Sequence, residues 1–193
     1  MKTKLTIIGI TGKMGKAIKD QITAFQSLEI SYGISSNDDE KAFDTAIKNC
    51  DVVIDFSNVN CLEKILKYSK LYKKPLICGT TGFLENQKKL IENASKEIPI
   101  LFASNFSLGM ALIKRFSSDM AKHLKVDTFI DIIDSHHQFK KDAPSGSAIT
   151  LKEEILKNAP DKSISMHSIR AANIIGEHRV IFTDSEEQIE IKH

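Results

Sequence analysis

Between Asp134 and Ser147 the chain reads Asp-Ser-His-His-Gln-Phe-Lys-Lys-Asp-Ala-Pro-Ser-Gly-Ser. Two histidines and two lysines, His136, His137, Lys140 and Lys141, fall within six residues. Histidine can give up a proton near neutral pH. Lysine is a flexible cation suited to a carboxylate. Ser145, Gly146 and Ser147 then offer hydroxyls and unpaired backbone N–H groups where a helix begins, a second place for an anion. Together these groups can hold a small dicarboxylate and protonate it. The same residues also suit a solvated basic loop in which Ser147 only caps the helix.

A second constellation stands at the end of the first apolar run, Leu5 to Ile10: Gly9-Ile10-Thr11-Gly12-Lys13-Met14-Gly15. Its glycines stand at relative positions 1, 4 and 7, against 1, 3 and 6 in the usual dinucleotide fingerprint. The chemistry is the same: a tight turn, close backbone approach to a pyrophosphate, and a helix packed on its strand. Taken alone the motif is also a plain turn; its place after the first strand of a βαβ unit favours the nucleotide. Gly79-Thr80-Thr81-Gly82 and Ala103-Ser104-Asn105-Phe106 follow later strands, at the carboxyl ends where open α/β sheets bind ligands. As bare loops both are equally well explained by turn chemistry. The end of the second strand, Ser35-Ser36-Asn37-Asp38-Asp39, puts serines where an acid usually meets the ribose, with no Arg beside them, leaving NADH and NADPH both open. No His, Cys or acidic grouping has a metal-site spacing. His123 and His167 read as surface or core residues, and His178 and His193 carry little functional weight.

The elements that must position these groups change character along the chain. Strands are expected at Leu5–Ile10, Glu29–Ile34, Asp51–Phe56, Pro75–Cys78 and Ile100–Ala103. Helices are expected after Gly12, around Leu62–Ser69 and over Leu84–Lys96. That alternation is a Rossmann-like, doubly wound parallel sheet. A helix over 108–122 then leads into a β-rich run, Val126–Asp134. One helix over Ser147–Asn158 and strands at Ser163–Arg170, His178–Thr183 and Gln188–Lys192 follow. Strands without intervening helices predict a second, α+β domain on an open mixed sheet. The boundary is expected near Phe106 or Ser107, giving a dinucleotide-binding domain over 1–107 and a substrate-binding and oligomerisation domain over 108–193.

Composition narrows the class. The 193 residues suffice for one large or two small domains, and 41% hydrophobic with 27% charged residues is ordinary for a globular protein. A net charge of +2, with Lys interleaved among Glu and Asp, argues against nucleic acid. The first apolar run is too short for a signal segment, and nothing approaches the length of a membrane span. Cys50, Cys61 and Cys78 lack metal or redox spacing and read as buried reduced thiols, so a cytoplasmic location is expected.

Four ordered motifs make the chain resemble the dihydrodipicolinate (4-hydroxy-tetrahydrodipicolinate) reductase family over nearly its whole length. They are GxxGxMG after strand one, GTTGF, Ala103 to Gly109 (AxNFSxG), and HHxxKxDAPSGSA, the last highly specific; Ile175-Gly176-Glu177-His178 matches as well. The resemblance implies hydride transfer from NADH or NADPH to an imine-containing heterocyclic dicarboxylate, giving tetrahydrodipicolinate in lysine and diaminopimelate biosynthesis. It implies His136 as general acid and Lys140 as the associated proton donor, with His137, Gly146 and Ser147 on the substrate carboxylates. It implies that Gly9, Ile10, Thr11, Gly12, Lys13, Met14, Gly79, Thr80, Thr81, Ala103, Ser104, Asn105 and Phe106 line the cofactor, and that the chain forms a homotetramer through its second sheet.

Ser147 and Asp134 stand where the family usually has Thr and Glu. The family also continues past the position of His193 with an Arg-bearing segment and a helix that packs back on the first domain. That difference motivates a second reading, a catalytically impaired nucleotide-binding remnant. A third, a semialdehyde dehydrogenase, needs a nucleophilic Cys near the domain junction, where none of the three lies.

Overall fold

In the computed structural model, which describes residues 1–35 and 37–193, the chain divides into two compact units, Met1–Ser104 and Asn105–His193. In the first, β1 (Thr3–Ile8) is an apolar run buried from Leu5 onward, as a central parallel strand requires. It is followed by α1 (Lys13–Gln21), β2 (Leu28–Ile34), α2 (Glu40–Lys48), β3 (Val52–Asp55), α3 (Leu62–Leu71), β4 (Leu76–Cys78), α4 (Glu85–Ser95) and β5 (Ile100–Phe102). All five strands are parallel, in the order β2-β1-β3-β4-β5. The chain therefore reverses its winding beside β1, and the carboxyl ends of β1 and β3 flank the switch point where such sheets bind ligands.

The core of this unit packs Ile8, Val53, Leu76 and Cys78 of the sheet against α2, α3 and α4. Helix α2 is not among the helices read from the sequence. Its buried face is only Phe43, Ala46 and Ile47, spaced i, i+3, i+4, and charged residues occupy much of the rest. Asp39 marks its start, its carboxylate accepting the Ala42 N–H at 2.8 Å. Strand β1 stops at Ile8, two residues earlier than expected, because Gly9 takes φ +87°, which no ladder residue adopts. All three cysteines are buried.

The second unit holds α5 (Leu108–His123), β6 (Phe129–His136), α6 (Gly146–Asn158), β7 (Ile164–Arg170), β8 (Glu177–Thr183) and β9 (Gln188–Lys192). The sheet order is β7-β6-β8-β9, with β6 parallel to β7 and antiparallel to β8, so the sheet is mixed, as the helix-poor pattern implied. Period-two alternation buries Ile130 and Ile132 of β6 with Val180 and Phe182 of β8 against Met110, Ile113, Leu151 and Ile155 of the two helices. The same alternation carries Asp134 and His178 onto this inner face. They stand directly opposite each other, and Ser168 of β7 pairs with Asp134 from the other side. At this end of the sheet the apolar layer gives way to a polar one.

The turn after β1 has no room for a side chain. A Cβ on Gly15 would lie 2.2 Å from the Gly9 carbonyl oxygen and 2.6 Å from the Ile10 Cα, both backbone. Gly15→Ala is therefore expected to lower stability by about 1–3 kcal/mol through forced displacement of α1. Urea unfolding followed by helical circular dichroism tests this, and an unchanged midpoint would contradict the packing described.

Candidate active site

In the first unit, the turns singled out by their glycines all lie at carboxyl ends of parallel strands. Gly9 to Met14 follow β1, Gly79 to Thr81 follow β4, and Ala103 and Ser104 follow β5. Helix α1 begins at Lys13 after Gly12, with no side-chain cap and no acid in its first turn, which leaves its first N–H groups to an external anion. The cradle is kept open from below: a Cβ at Gly9 would strike the Phe56 carbonyl oxygen at 2.4 Å. The structure thus has the close-backbone turn that a pyrophosphate needs.

Beneath these turns lies a polar cluster that the sequence reading does not single out. Asp55, at the end of β3 and 1% exposed, accepts the Ser57 N–H at 3.0 Å and the Ser57 hydroxyl at 2.5 Å through Oδ1. The Cys78 thiol donates to Oδ2 at 3.4 Å. Burial, and then the Asp55 charge, push that thiol up to about 12, so it stays protonated. Thr80 is buried and its Oγ1 accepts the Ser57 N–H at 3.0 Å, so its side chain braces the turn while Thr81 is exposed. At the end of β2, the Asp38 carboxylate folds back to accept the Ser35 N–H at 2.7 Å. Ser36 lies outside the described residues.

In the second unit, the His136, His137, Lys140, Gly146 and Ser147 segment runs from the end of β6 to the start of α6. Asp134, with a fully buried side chain, is its hub. Oδ1 accepts from His136 Nδ1 at 3.0 Å and from Arg170 Nη1 at 2.7 Å. Oδ2 accepts the Ser168 hydroxyl at 2.7 Å and the Ser145 N–H at 3.2 Å. Burial alone would raise the pKa of this carboxyl; the bonds from Ser168, Arg170, Ser145 and His136 outweigh it and hold the group below the ordinary carboxylate range. Arg170 also donates from Nη2 to the Asp142 carbonyl at 2.7 Å, which ties down the loop carrying Lys140. Lys140 is clasped by both oxygens of Asp142, at 2.8 and 2.9 Å.

Helix α6 begins at Gly146, and its cap is Ser145, whose hydroxyl accepts the Ala148 N–H at 3.2 Å. The capping role considered for Ser147 thus falls to Ser145. Ser147 Oγ instead accepts from the Asn105 amide at 3.1 Å, and space is open around Gly146. His137 is exposed beside Phe139. Of the cofactor candidates, Asn105 and Phe106 belong to this unit. His178, given little weight from sequence, is 5% exposed, bonded through Nε2 to Ser145 Oγ at 3.2 Å, and edge-on to the His136 ring at 5.2 Å. The available signal was phase: Asp134 and His178 are polar residues in step with Ile130, Ile132, Val180 and Phe182.

Comparison with known proteins places these units in context. Residues 3–106 match the family model described as dihydrodipicolinate reductase, N-terminus, and residues 109–193 the model described as dihydrodipicolinate reductase, C-terminus. The chain is 38% identical to the 4-hydroxy-tetrahydrodipicolinate reductase of Rickettsia bellii, covering 100% of this chain and 82% of that protein. It is 36% identical to the enzyme of the same name from Clostridium tetani, covering 100% and 85%. Among solved structures, dipicolinate-bound dihydrodipicolinate reductase from Paenisporosarcina sp. TG-14 superposes with a TM-score of 0.78 at 21% identity, over 100% of this chain and 88% of that one.

His178 gives the second unit a pH signature. Burial first, then the neighbouring His136, push its pKa from 6.5 down to about 4. The unfolded chain therefore binds the extra proton between those values, and stability rises with pH across that window. Acidification from pH 6.5 to 4 is expected to remove up to about 3 kcal/mol through this residue. His178→Gln should flatten that part of the stability–pH curve measured by denaturant titration; a curve parallel to wild type would rule His178 out as the source.

Proposed function

The chain belongs to the dihydrodipicolinate reductase family, and from that premise we propose that it reduces 4-hydroxy-tetrahydrodipicolinate to tetrahydrodipicolinate in diaminopimelate and lysine biosynthesis. The observation that carries the proposal is the juxtaposition, within one unit, of the His136–Asp134 pair with the open first turn of α6. One group can deliver a proton; the other can hold a carboxylate.

The glycine turn fits a dinucleotide, since Gly9 and Gly15 let it close tightly on the backbone of Phe56 and Ile10 and the start of α1 is uncapped. Gly9, Ile10, Thr11, Gly12, Lys13 and Met14 would hold the pyrophosphate, with Gly79, Thr80, Thr81, Ala103, Ser104, Asn105 and Phe106 along the rest of the cofactor. When bound, the reduced nicotinamide supplies a hydride. The chain's own residues then manage charge and orientation. The backbone N–H groups of Gly146 and Ser147, the Ser147 hydroxyl and His137 bind the substrate carboxylates. His136 gives a proton from Nε2 to quench the negative charge that hydride addition develops. Lys140, held by Asp142, supplies positive charge to the same loop and assists that proton transfer.

Three finer assignments follow. The acids at the end of β2, with Asp38 turned back on Ser35, suit a ribose hydroxyl and repel a 2′-phosphate, which favours NADH over NADPH. The outer face of the second sheet carries Phe129 and Ile169, 66% and 48% exposed, with Ile133 and Ile181, among the polar Asp131, His167, Arg179 and Glu190, a mixed surface suited to a homotetramer interface. The buried thiols suit the cytoplasm.

The test is oxidation of reduced nicotinamide, followed by absorbance, with substrate generated by a coupled synthase. His136→Gln is expected to lower turnover by about 10²-fold or more, as for loss of a general acid. Lys140→Ala should lower it too. Wild-type turnover in either variant removes that residue from the chemistry, and no substrate-dependent oxidation by the folded wild type would favour the remnant reading. In the same assay, kcat/KM with NADH is expected to exceed that with NADPH by roughly tenfold, about one unfavourable charge contact. The reverse ratio would overturn the role given to Asp38.

A further inference from the structure

We propose that Asp134 is a positioning residue for the reaction: it fixes the tautomer of His136 so that Nε2, and not Nδ1, handles the proton. The inference rests on the reading of His136 as proton donor, and it follows from what Asp134 can and cannot do. A carboxylate only accepts hydrogen bonds. Asp134 is buried and accepts from His136 Nδ1, Arg170, Ser168 and the Ser145 N–H, two donors on each oxygen. With its acceptor sites occupied by donors and Arg170 beside it, the group is ionised, so Nδ1 must carry hydrogen whenever the 3.0 Å bond exists. Neutral His136 then has a bare Nε2. Protonated His136 carries its transferable hydrogen there, and after giving it up the ring keeps its bond to Asp134 without turning.

The ring's surroundings agree. Its Nε2 edge lies against Gly176, where a Cβ would touch it at 3.4 Å, so the glycine keeps a side chain at that position off the edge. His178 packs edge-on against the ring and limits rotation. The charged and titratable neighbours are Asp134 on β6, Arg170 on β7 and His178 on β8, with Lys140 of the loop and His193 acting on His178. Arg170 shares Oδ1 with His136, so it keeps the carboxylate ionised. Asp134 therefore acts as the orienting partner of a proton-transfer histidine.

The decisive experiment uses the full chain labelled with ¹⁵N-histidine. Two-bond ¹H–¹⁵N correlation spectra are recorded across pH, with the His136 signals identified by their loss in His136→Gln. The expected result is the Nδ1–H tautomer for neutral His136; an Nε2–H tautomer would overturn the proposal. This measurement needs neither turnover nor a variant at Asp134, so a chain that lacks reductase activity but shows Nδ1–H refutes the functional reading, and the role in the reaction with it, while the tautomer fixed by Asp134 stands. Asp134→Asn is expected to convert His136 toward the Nε2–H form and reduce kcat by about 10–100-fold with KM within roughly threefold. Asp134→Glu should restore kcat to within a few-fold of wild type. A folded Asp134→Asn enzyme with wild-type kcat and pH profile would equally sink the idea.

Discussion

One buried carboxylate organises the second half of this protein. Taking Asp134 out of water would be costly by itself, and the structure offsets that with two charge-bearing or charge-capable partners and two neutral donors. Those donors come from the end of β6, from β7 and from the residue that starts α6. The carboxylate therefore does more than balance Arg170: it fixes where three elements meet, and that meeting place is where His136 and the first turn of α6 stand. The apolar layer of Ile130, Ile132, Val180 and Phe182 adjoins the junction, and the burial of Asp134 beside it strengthens the bonds it accepts.

The first unit follows a related logic with different means. Its five parallel strands bring their carboxyl-end turns to one edge, and backbone, more than side chains, shapes that edge. Gly9 and Gly15 let the chain pass close to itself, while Asp55, Ser57 and Thr80 brace the neighbouring turns from beneath. A buried acid at a strand end thus supports each half: Asp55 under the glycine-bearing turns, and Asp134 under the loop that follows His136.

How much of this was readable beforehand depended on whether the signal was local. Parallel strands such as Thr3–Ile8 and the glycine turn after it announce themselves within a few residues. The mixed character of the second sheet followed from strands without helices between them. Helix α2 escaped notice because only Phe43, Ala46 and Ile47 face inward. The loop carrying His136 and Lys140 was conspicuous by composition. Its supports were not, because the importance of Ser168, Arg170 and His178 comes from strand register with Asp134 and His136, across 34 to 44 positions of chain. Alternation shows which face a residue occupies; it does not say which residue stands opposite.

The double anchoring of the segment between β6 and α6 has an entropic consequence. Arg170 grips the Asp142 carbonyl, and Asp134 grips the Ser145 N–H, so the segment is held near its middle and at its far end before any substrate arrives. The conformational freedom this loop gives up is lost when the protein folds, and little of it remains to be lost on binding. Interactions that this loop makes with a ligand can then appear as affinity and orientation, without being consumed in ordering the loop itself.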